Sequence, residues 1–255
     1  MLLYRVRPDG RFVAVDDAGV ARPLAGDPFA TPARGWSLGE PLELSSDRLM
    51  APLAPGKVVA IGRSYRDHAL ELDNPVPDEP ILFLKSPGSV IGPGESIELP
   101  PESSRVEFEG EIALVVGRRL CRASPAEAAA AIFGVTCACD VTARDLQRRD
   151  PCFSRAKSFD TFCPLGPAIR LGASCESLEL VTRVDGAERQ RAAVTEMIWR
   201  PEELLAYASR MMTLEAGDLL LTGTPAGVGP LADGQLVEVE VAGVGVLSSP
   251  VRRRR

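Results

Sequence analysis

The sequence predicts a β-rich α+β fold that begins with a small β lobe. Short aliphatic and β-branched runs bounded by Gly, Pro, Asn and Asp recur along the chain. Only two segments carry clear helix signals, and the regular alternation of strands with helices that builds a parallel sheet is missing. With 255 residues and 45% apolar content, the chain is long enough to bury the core of one or two domains.

Charge balance and apolar runs exclude several kinds of partner. A net charge of −6 argues against nucleic acid or an anionic membrane as the main partner. The longest apolar run, Ala128 to Cys139, is shorter than the roughly 20 residues that a membrane helix needs. The first residues do not resemble a signal peptide, so we expect a cytoplasmic protein that does not bind membranes.

Three further patterns are explained better by structure than by function. Cys137 and Cys139 hint at zinc, but their apolar flanks favour a buried strand, and the six cysteines are expected to be reduced thiols. The basic run Arg252–Arg255 is expected to be a solvated tail. The GxSxG pattern around Ser37 lacks the flanking strand and helix of a nucleophile elbow, which argues against a serine hydrolase.

The N-terminal residues predict a β-hairpin. Leu2–Val6 and Arg11–Val15 are β-type runs, and Pro8-Asp9-Gly10 supplies the turn between them. Residues 21–55 are rich in Pro and Gly and show little periodicity, as in a connector. We therefore predict an N-terminal β lobe with its connector over residues 1–54 and a catalytic domain over residues 55–255.

The larger domain is predicted to consist mainly of strands. Asp185-Gly186 and Asp233-Gly234 mark turns between them. The predicted strands are Val58–Ile61, Ile81–Leu84, Val106–Val116, Val135–Thr142, Glu179–Val184, Leu219–Thr222 and Gln235–Val241.

Two helices are predicted among these strands. Ser124 and Glu127 form a capping box around Pro125, and Gly134 is expected to end that helix. The second helix runs from Pro201 to about Met212. Its predicted apolar face, which we expect to lie in the core, consists of Leu204, Leu205, Ala208, Met211 and Met212.

The stretch around residue 110 contains the most informative pattern in the chain. On a strand, Glu107, Glu109 and Glu111 share one face, which continues as Ala113 and Val115. A face that is acidic at one end and apolar at the other is expected to enter a cavity where the carboxylates need a compensating charge. They can converge on a divalent cation, or they can be solvated at a sheet edge, and this segment alone leaves both open.

Asp140 is the natural third oxygen ligand because it closes the apolar run through Cys139. A buried carboxylate costs free energy unless it is paired. Alternatively, Arg144 or Asp145 could explain the position of Asp140 without a metal, through ion pairing or capping. Ligation by oxygen alone favours Mg²⁺ or Mn²⁺ over Zn²⁺.

Three other segments carry residues that suit catalysis. His68, the single histidine, lies three residues before Glu71, a spacing that lets the carboxylate orient the imidazole as a general base; a surface contact is the alternative. Lys157 is expected to be solvated, although near a metal it could stabilise developing negative charge. The Gly-rich segment 221–229 is expected to form a turn, and binding of a carboxylate is the less favoured interpretation.

Together these motifs resemble the fumarylacetoacetate hydrolase family over roughly residues 55–251. The resemblance is specific because the motifs occur in order over most of the chain. They are the His68-x-x-Glu71 turn, Pro80–Lys85, the Glu109-x-Glu111 strand, Cys139–Asp145, Lys157–Pro167 and Gly217–Gly229.

The resemblance implies a mixed β-sandwich roll, a homodimer and a set of site residues. It implies Mg²⁺, with Mn²⁺ as a possible substitute, held by Glu109, Glu111 and Asp140. It assigns His68 and Glu71 as the dyad that activates water. The residues that it places at the substrate are Lys157, Thr224, Arg144, Gln147 and Tyr65.

The resemblance also implies a 2-keto or 2,4-diketo acid as substrate. The leading hypothesis is Mg²⁺-dependent hydrolysis of a C–C bond in acylpyruvates or related diketo acids. The alternatives are an isomerase or decarboxylase of 2-hydroxyhepta-2,4-diene-1,7-dioate type substrates, and an oxaloacetate decarboxylase. Recognition of a distal carboxylate would separate these reactions, with Arg63 and Arg66 as candidates. Where this chain has Ser64, the family commonly has Asn. This departure leaves open the alternative that the protein is a metal-binding module with impaired catalysis.

Overall fold

The computed structural model describes residues 1–71, 73 and 75–254 and confirms the β-rich α+β class. Its α-helices are α1 Arg66–Glu71, α2 Pro125–Ala129, α3 Arg144–Arg149, α4 Ser154–Lys157 and α5 Pro201–Met211. Its strands are β1 Leu2–Val6, β2 Arg11–Val15, β3 Ala21–Ala25, β4 Ser37–Leu38, β5 Val58–Gly62, β6 Ile81–Lys85, β7 Val90–Ile91, β8 Ile97–Leu99, β9 Val106–Phe108, β10 Gly110–Val116, β11 Ile132–Cys139, β12 Thr142–Ala143, β13 Cys163–Leu171, β14 Glu179–Val184, β15 Ala187–Ala193, β16 Leu219–Leu221, β17 Gly229–Pro230, β18 Leu236–Val241 and β19 Gly245–Arg253.

The largest sheet carries the functional residues on its central strands. Its order is β4-β3-β2-β1-β13-β11-β10-β16-β5-β6, and β7 pairs with β13. Strand β10 is antiparallel to both of its neighbours. Ile112 and Leu114 pack into the larger hydrophobic core, whereas Ala113 and Val115 pack into a second core on the opposite face. Both faces of β10 are therefore buried, which explains its apolar run from Ile112 to Val116.

A five-stranded sheet forms the other wall of the larger core. Its order is β15-β14-β18-β19-β8. Leu180 of β14 and Val239 of β18 share a core with Ile112 of the large sheet. The two sheets therefore pack face to face, while β12-β9-β17 forms a small third sheet beside them.

The N-terminal hairpin has the bounds that the sequence predicts. Strand β1 pairs with β2 along its whole length, and Leu2 and Leu3 also pair with β13. The N-terminal strands therefore extend the large sheet. The domain boundary between residues 54 and 55 stays a prediction.

The acidic stretch forms two strands, so its expectation as one continuous strand is wrong. The chain leaves one sheet after Phe108 and enters another at Gly110, and Glu109 lies between them. A Cβ atom on Gly110 would lie 1.9 Å from Oγ1 of Thr182, so only glycine allows the five-stranded sheet to approach so closely here. The break turns Glu109 out of the strand ladder.

Two helix expectations also need correction. The capping box at Ser124 is confirmed, but α2 ends at Ala129, and Gly134 lies inside β11. A Cβ at Gly134 would lie 2.5 Å from the carbonyl oxygen of Arg170, so this glycine permits close strand pairing. Helix α5 matches its prediction, but Met211 is 56% exposed and does not belong to the core.

The described part of the basic C-terminal run continues a strand and is not a separate tail, although residues 252–254 are solvent-exposed as expected. Arg252 and Arg253 belong to β19, which runs parallel to β8. Nη2 of Arg252 lies 2.5 Å from Oε1 of Glu98, because the arginine reaches across to the neighbouring strand. Arg255 lies outside the described residues.

The remaining sequence expectations concern cysteines and membranes. Cys137 and Cys139 are buried on β11, as expected, and burial raises the pKa of each thiol to about 12. Among the described residues, every helix is too short or too polar to span a bilayer.

We expect Gly110→Ala to lower the free energy of unfolding by about 1–3 kcal/mol, because the added methyl group overlaps Thr182. Gly35→Ala is the matched control, since its Cβ would meet nothing closer than 3.9 Å. Urea unfolding of both variants measures the difference. Equal stability of Gly110→Ala and the wild type would contradict the close packing of the two sheets.

Candidate active site

Three buried carboxylates meet where the paired strands β10 and β11 end. Glu109 lies between β9 and β10, Glu111 is the second residue of β10, and Asp140 directly follows β11. The backbone N–H of Asp140 donates to the carbonyl of Glu109 at 2.8 Å, which ties the strand ends together. One oxygen from each carboxylate lies within 4.8 Å of the others. The residues named from the sequence as metal ligands therefore lie together, and their role as ligands stays a prediction.

Buried cations surround two of these carboxylates. Nζ of Lys157 lies 2.7 Å from Oε2 of Glu109 and 2.5 Å from Oδ2 of Asp140. Nη2 of Arg144 lies 2.5 Å from Oε1 of Glu109, and Nζ of Lys85 lies 2.7 Å from Oδ1 of Asp140. The expected solvation of Lys157 is wrong: burial lowers the pKa of its ammonium, but Asp140 and Glu109 outweigh burial and raise it.

Glu111 is the least compensated carboxylate of the three. It forms no ion pair within the described residues, and its Oε2 accepts a 2.6 Å hydrogen bond from the N–H of Gly223. Burial, followed by the charges of Asp140 and Glu109, raises the pKa of Glu111 well above its ordinary value. Burial acts to raise the pKa of Glu109, but the charges of Lys157 and Arg144 together outweigh it and lower that pKa. A divalent cation would relieve the repulsion that Glu111 experiences.

The donor set fits a hard divalent cation. Glu109, Glu111 and Asp140 offer only carboxylate oxygens, the ligands that Mg²⁺ and Mn²⁺ prefer. Oδ1 of Asp140 is buried and makes no hydrogen bond to any described residue, although Nζ of Lys85 lies 2.7 Å from it. This oxygen therefore retains a lone pair for a metal ion.

His68 and Glu71 form the pair that their spacing suggests. Nδ1 of His68 lies 3.3 Å from Oε2 of Glu71 on the single turn of α1. Oε1 of Glu71 accepts a 2.9 Å hydrogen bond from the N–H of Gly227 in the Gly-rich loop. Because Nδ1 of His68 contacts Glu71, and Gly227 holds that carboxylate in place, Nε2 is the ring nitrogen that remains for proton transfer.

A cavity of about 240 Å³ joins the carboxylates to the imidazole. This volume is below the roughly 300–1,000 Å³ of pockets for drug-sized ligands, which favours a small substrate. Its polar lining consists of His68, Glu109, Glu111, Asp140, Arg63, Arg144, Gln147, Arg148, Lys157 and Thr224.

Tyr65 lies outside the lining of this cavity. Its side chain is buried, its hydroxyl has no hydrogen-bond partner within the described residues, and it borders a neighbouring surface depression. Burial, followed by the charge of Glu111, raises the pKa of its phenol. Its proposed contact with substrate has the least geometric support among the sequence candidates.

Thr224 is held by a residue that sequence reasoning missed. Oγ1 of Thr224 donates to the carbonyl of Gly110 at 2.8 Å and accepts from Nε2 of Gln190 at 2.7 Å. The side-chain carbonyl of Gln190 accepts the N–H of Gly110 at 3.0 Å. Gln190 lies on β15, distant in sequence, in a segment without a strand prediction, so local motifs gave no signal for it.

Arg144 and Gln147 contact each other on one face of α3. Nη1 of Arg144 donates to Oε1 of Gln147 at 2.6 Å, and Nε donates to Oε2 of Glu107 at 2.6 Å. The guanidinium pairs with Glu107 and Glu109 and not with Asp140, so the alternative in which Arg144 compensates Asp140 is wrong. The cations that pair with Asp140 are Lys157 and Lys85. Asp145 instead accepts hydrogen bonds from the side chains of Ser103 and Ser104, which lie in the loop between β8 and β9.

Lys85 is the second important residue that the sequence argument passed over. It ends β6, is fully buried, and contacts both Asp140 and the carbonyl oxygen of Lys157. The available signal was composition, because Lys57, Lys85 and Lys157 are the three lysines of a chain that otherwise uses arginine.

Comparisons with known proteins identify the family. The family model described as fumarylacetoacetate hydrolase, C-terminal, matches residues 57–252. The chain belongs to the fumarylacetoacetate hydrolase family. This confirms the resemblance drawn from the ordered motifs. Enzymes of this family act on small keto acids and typically depend on a divalent metal.

Named relatives include isomerases and tautomerases. An oxaloacetate tautomerase of Bacillus subtilis is 40% identical over 223 residues, covering 82% of this chain and 74% of the relative. The solved 2-hydroxyhepta-2,4-diene-1,7-dioate isomerase from Mycobacterium marinum is 40% identical, with a TM-score of 0.88 over 100% of this chain and 99% of that one. A 5-carboxymethyl-2-hydroxymuconate delta-isomerase from Mycobacterium smegmatis is 40% identical, with a TM-score of 0.90 over 100% of both chains. These structures confirm the family fold.

We expect Glu111→Gln to weaken Mn²⁺ binding at least about tenfold, because a ligand oxygen loses its charge. The same change should raise the thermal midpoint of the metal-free protein at neutral pH, since burial and the neighbouring Asp140 and Glu109 make a charge on Glu111 unfavourable there. Asp145→Asn, outside the cluster, is the control for metal affinity. Calorimetric titration with Mn²⁺ checks affinity, and equal affinity of Glu111→Gln and wild type would remove Glu111 from the ligand set.

Proposed function

We propose that the protein is a divalent-metal-dependent tautomerase of a small 2-oxo acid, interconverting its keto and enol forms. One observation carries the proposal: the His68–Glu71 pair and the cluster of Glu109, Glu111 and Asp140 line or border one small cavity. The names of the tautomerase and isomerase relatives support this reaction class.

The chain itself supplies a base, an orienting carboxylate and fixed positive charge. Nε2 of His68 takes a proton from the carbon next to the carbonyl, and Glu71 stabilises the imidazolium that forms. The His68 imidazolium then returns this proton to the carbonyl oxygen, so the enol has the same atoms as the keto acid. When bound, Mg²⁺ or Mn²⁺ supplies Lewis-acid stabilisation of negative charge on the 2-oxo acid. Lys157 keeps the cluster compact by contacting two of its carboxylates.

Hydrolysis of acylpyruvates, which the sequence favours, is the second candidate. The observation in its favour is the same buried imidazole, because a base that takes a carbon-bound proton can also activate water. The named relatives support isomerisation better than C–C bond hydrolysis. Decarboxylation of oxaloacetate would depend on the same stabilisation of negative charge on the 2-oxo acid. The presence of His68, Glu71 and Lys157 at one cavity argues against an impaired metal-binding module.

The identity of the ion, the homodimer and the cytoplasmic location stay predictions. We propose Mg²⁺ as the usual ion because the cluster consists of hard oxygen donors.

We expect enol oxaloacetate to be converted to its keto form with Mg²⁺ or Mn²⁺ present, and EDTA to abolish this turnover. His68→Asn should lower kcat about 10²–10⁴-fold with metal affinity nearly unchanged, because it removes a general base. Asp67→Asn, an exposed neighbour on α1, is the matched control.

Ultraviolet absorbance of the enol and a parallel acylpyruvate assay measure the two candidate reactions. Turnover of oxaloacetate that persists in EDTA would contradict the proposal. Cleavage of acylpyruvates without tautomerase activity would replace it with the second candidate.

A further inference from the structure

The cavity carries two arginines that the proposed reaction does not use. Arg63 follows β5, Arg148 lies on α3, and both side chains line the cavity. Within the described part of the chain, neither guanidinium forms an ion pair with a carboxylate, unlike Arg144 beside them. An arginine without a partner that lines a ligand cavity is suited to bind a carboxylate.

We propose that Arg63 and Arg148 bind the far carboxylate of a 2-oxo diacid whose 2-oxo end lies at the acidic cluster. This inference rests on the proposed function and assigns the residues that would hold the second carboxylate of such a substrate. It also makes these two arginines the specificity-determining residues of the cavity.

The charge of the lining favours a ligand with two negative charges. Four cationic side chains line the cavity, Arg63, Arg144, Arg148 and Lys157, against three carboxylates. The lining therefore has one excess positive charge when all of them are ionised, and a divalent cation adds two more. A diacid neutralises this excess better than a monoacid does.

Arg144 already donates hydrogen bonds to protein side chains from three of its atoms, so it is not the residue that binds the far carboxylate. Its Nε, Nη1 and Nη2 donate to Glu107, Gln147 and Glu109 respectively. Withdrawing it to bind substrate would leave two buried carboxylates each short of a partner, which is strongly destabilising.

The backbone holds Arg63 in an unusual conformation at the cavity wall. Its φ is +56°, a left-handed value that non-glycine residues rarely adopt. The next residue is fixed on both sides, because Oγ of Ser64 donates to the carbonyl of Thr222 at 2.5 Å and its own carbonyl accepts the N–H of Ile198 at 2.8 Å. Such strain persists where the surroundings enforce it, as they do at many functional sites.

Arg148 lies one helical turn after Arg144 and shares its face of α3. The adjacent Arg149 does not line the cavity, and its Nε lies 3.7 Å from Oδ1 of Asp150. Arg66, a candidate from the sequence, borders the separate depression beside Tyr65. The chain thus offers one non-lining arginine near each proposed residue as a control.

The test compares two ligands on Mg²⁺-loaded protein by isothermal titration calorimetry. Difluoro-oxaloacetate, with both hydrogens of the carbon beside the carbonyl replaced by fluorine, has a far carboxylate but cannot tautomerise. Oxalate reaches the acidic cluster and has no far carboxylate. The variants are Arg148→Gln and Arg63→Asn, since Asn tolerates a positive φ. Arg149→Gln and Arg66→Gln are the controls.

We expect the Kd of difluoro-oxaloacetate to rise about 10- to 100-fold in each cavity variant, as for the loss of a charge-assisted hydrogen bond. Its Kd should not change in the controls, and oxalate binding should not change in any variant. An equal loss for both ligands, or no loss for either, would overturn the inference. If the selective loss appears in a protein that does not tautomerise oxaloacetate, the proposed reaction fails and the inference stands.

Discussion

Repulsion among the buried carboxylates of Glu109, Glu111 and Asp140 is the constraint that the rest of the site satisfies. Ionised groups this close, away from water, are stable only when positive charge accompanies them. Lys157 and Arg144 compensate Glu109, while Lys157 and Lys85 compensate Asp140. Glu111 is left with one backbone N–H among the described residues, so this cluster could hold a divalent ion.

The fold supplies the rigidity that this arrangement requires. Pairing of β10 with β11 fixes the strand ends that carry the acids, and the break at Gly110 turns Glu109 toward the cavity. Gln190 and Thr224 both bond the backbone of Gly110, so the five-stranded sheet and the Gly-rich loop secure the same point. The His68–Glu71 pair is attached to that loop through Gly227. The acid cluster and the base are therefore positioned by a common framework.

Sequence reasoning succeeded where the signal is local. The hairpin from Leu2, the capping box at Ser124 and the strand at Glu179 depend on neighbouring residues, and their types were predicted correctly. It failed where distant segments decide the structure. Gly110, just after the break, packs closely against Thr182 of a distant strand, and Lys157 is buried against carboxylates from other parts of the chain. For the site, the ordered motifs singled out three acids that the structure brings together. Lys85 ends one of those motifs but received no role, and Gln190 and Arg148 have no local pattern that marks them.

The most direct test of this account is anomalous diffraction from crystals soaked in Mn²⁺. The account predicts one strong peak at coordination distance from an oxygen of each member of the cluster, Glu109, Glu111 and Asp140. A cluster that keeps its three carboxylates together with no peak between them, in saturating Mn²⁺, would contradict it. So would a peak coordinated by the imidazole of His68, because that nitrogen could not then serve as the base.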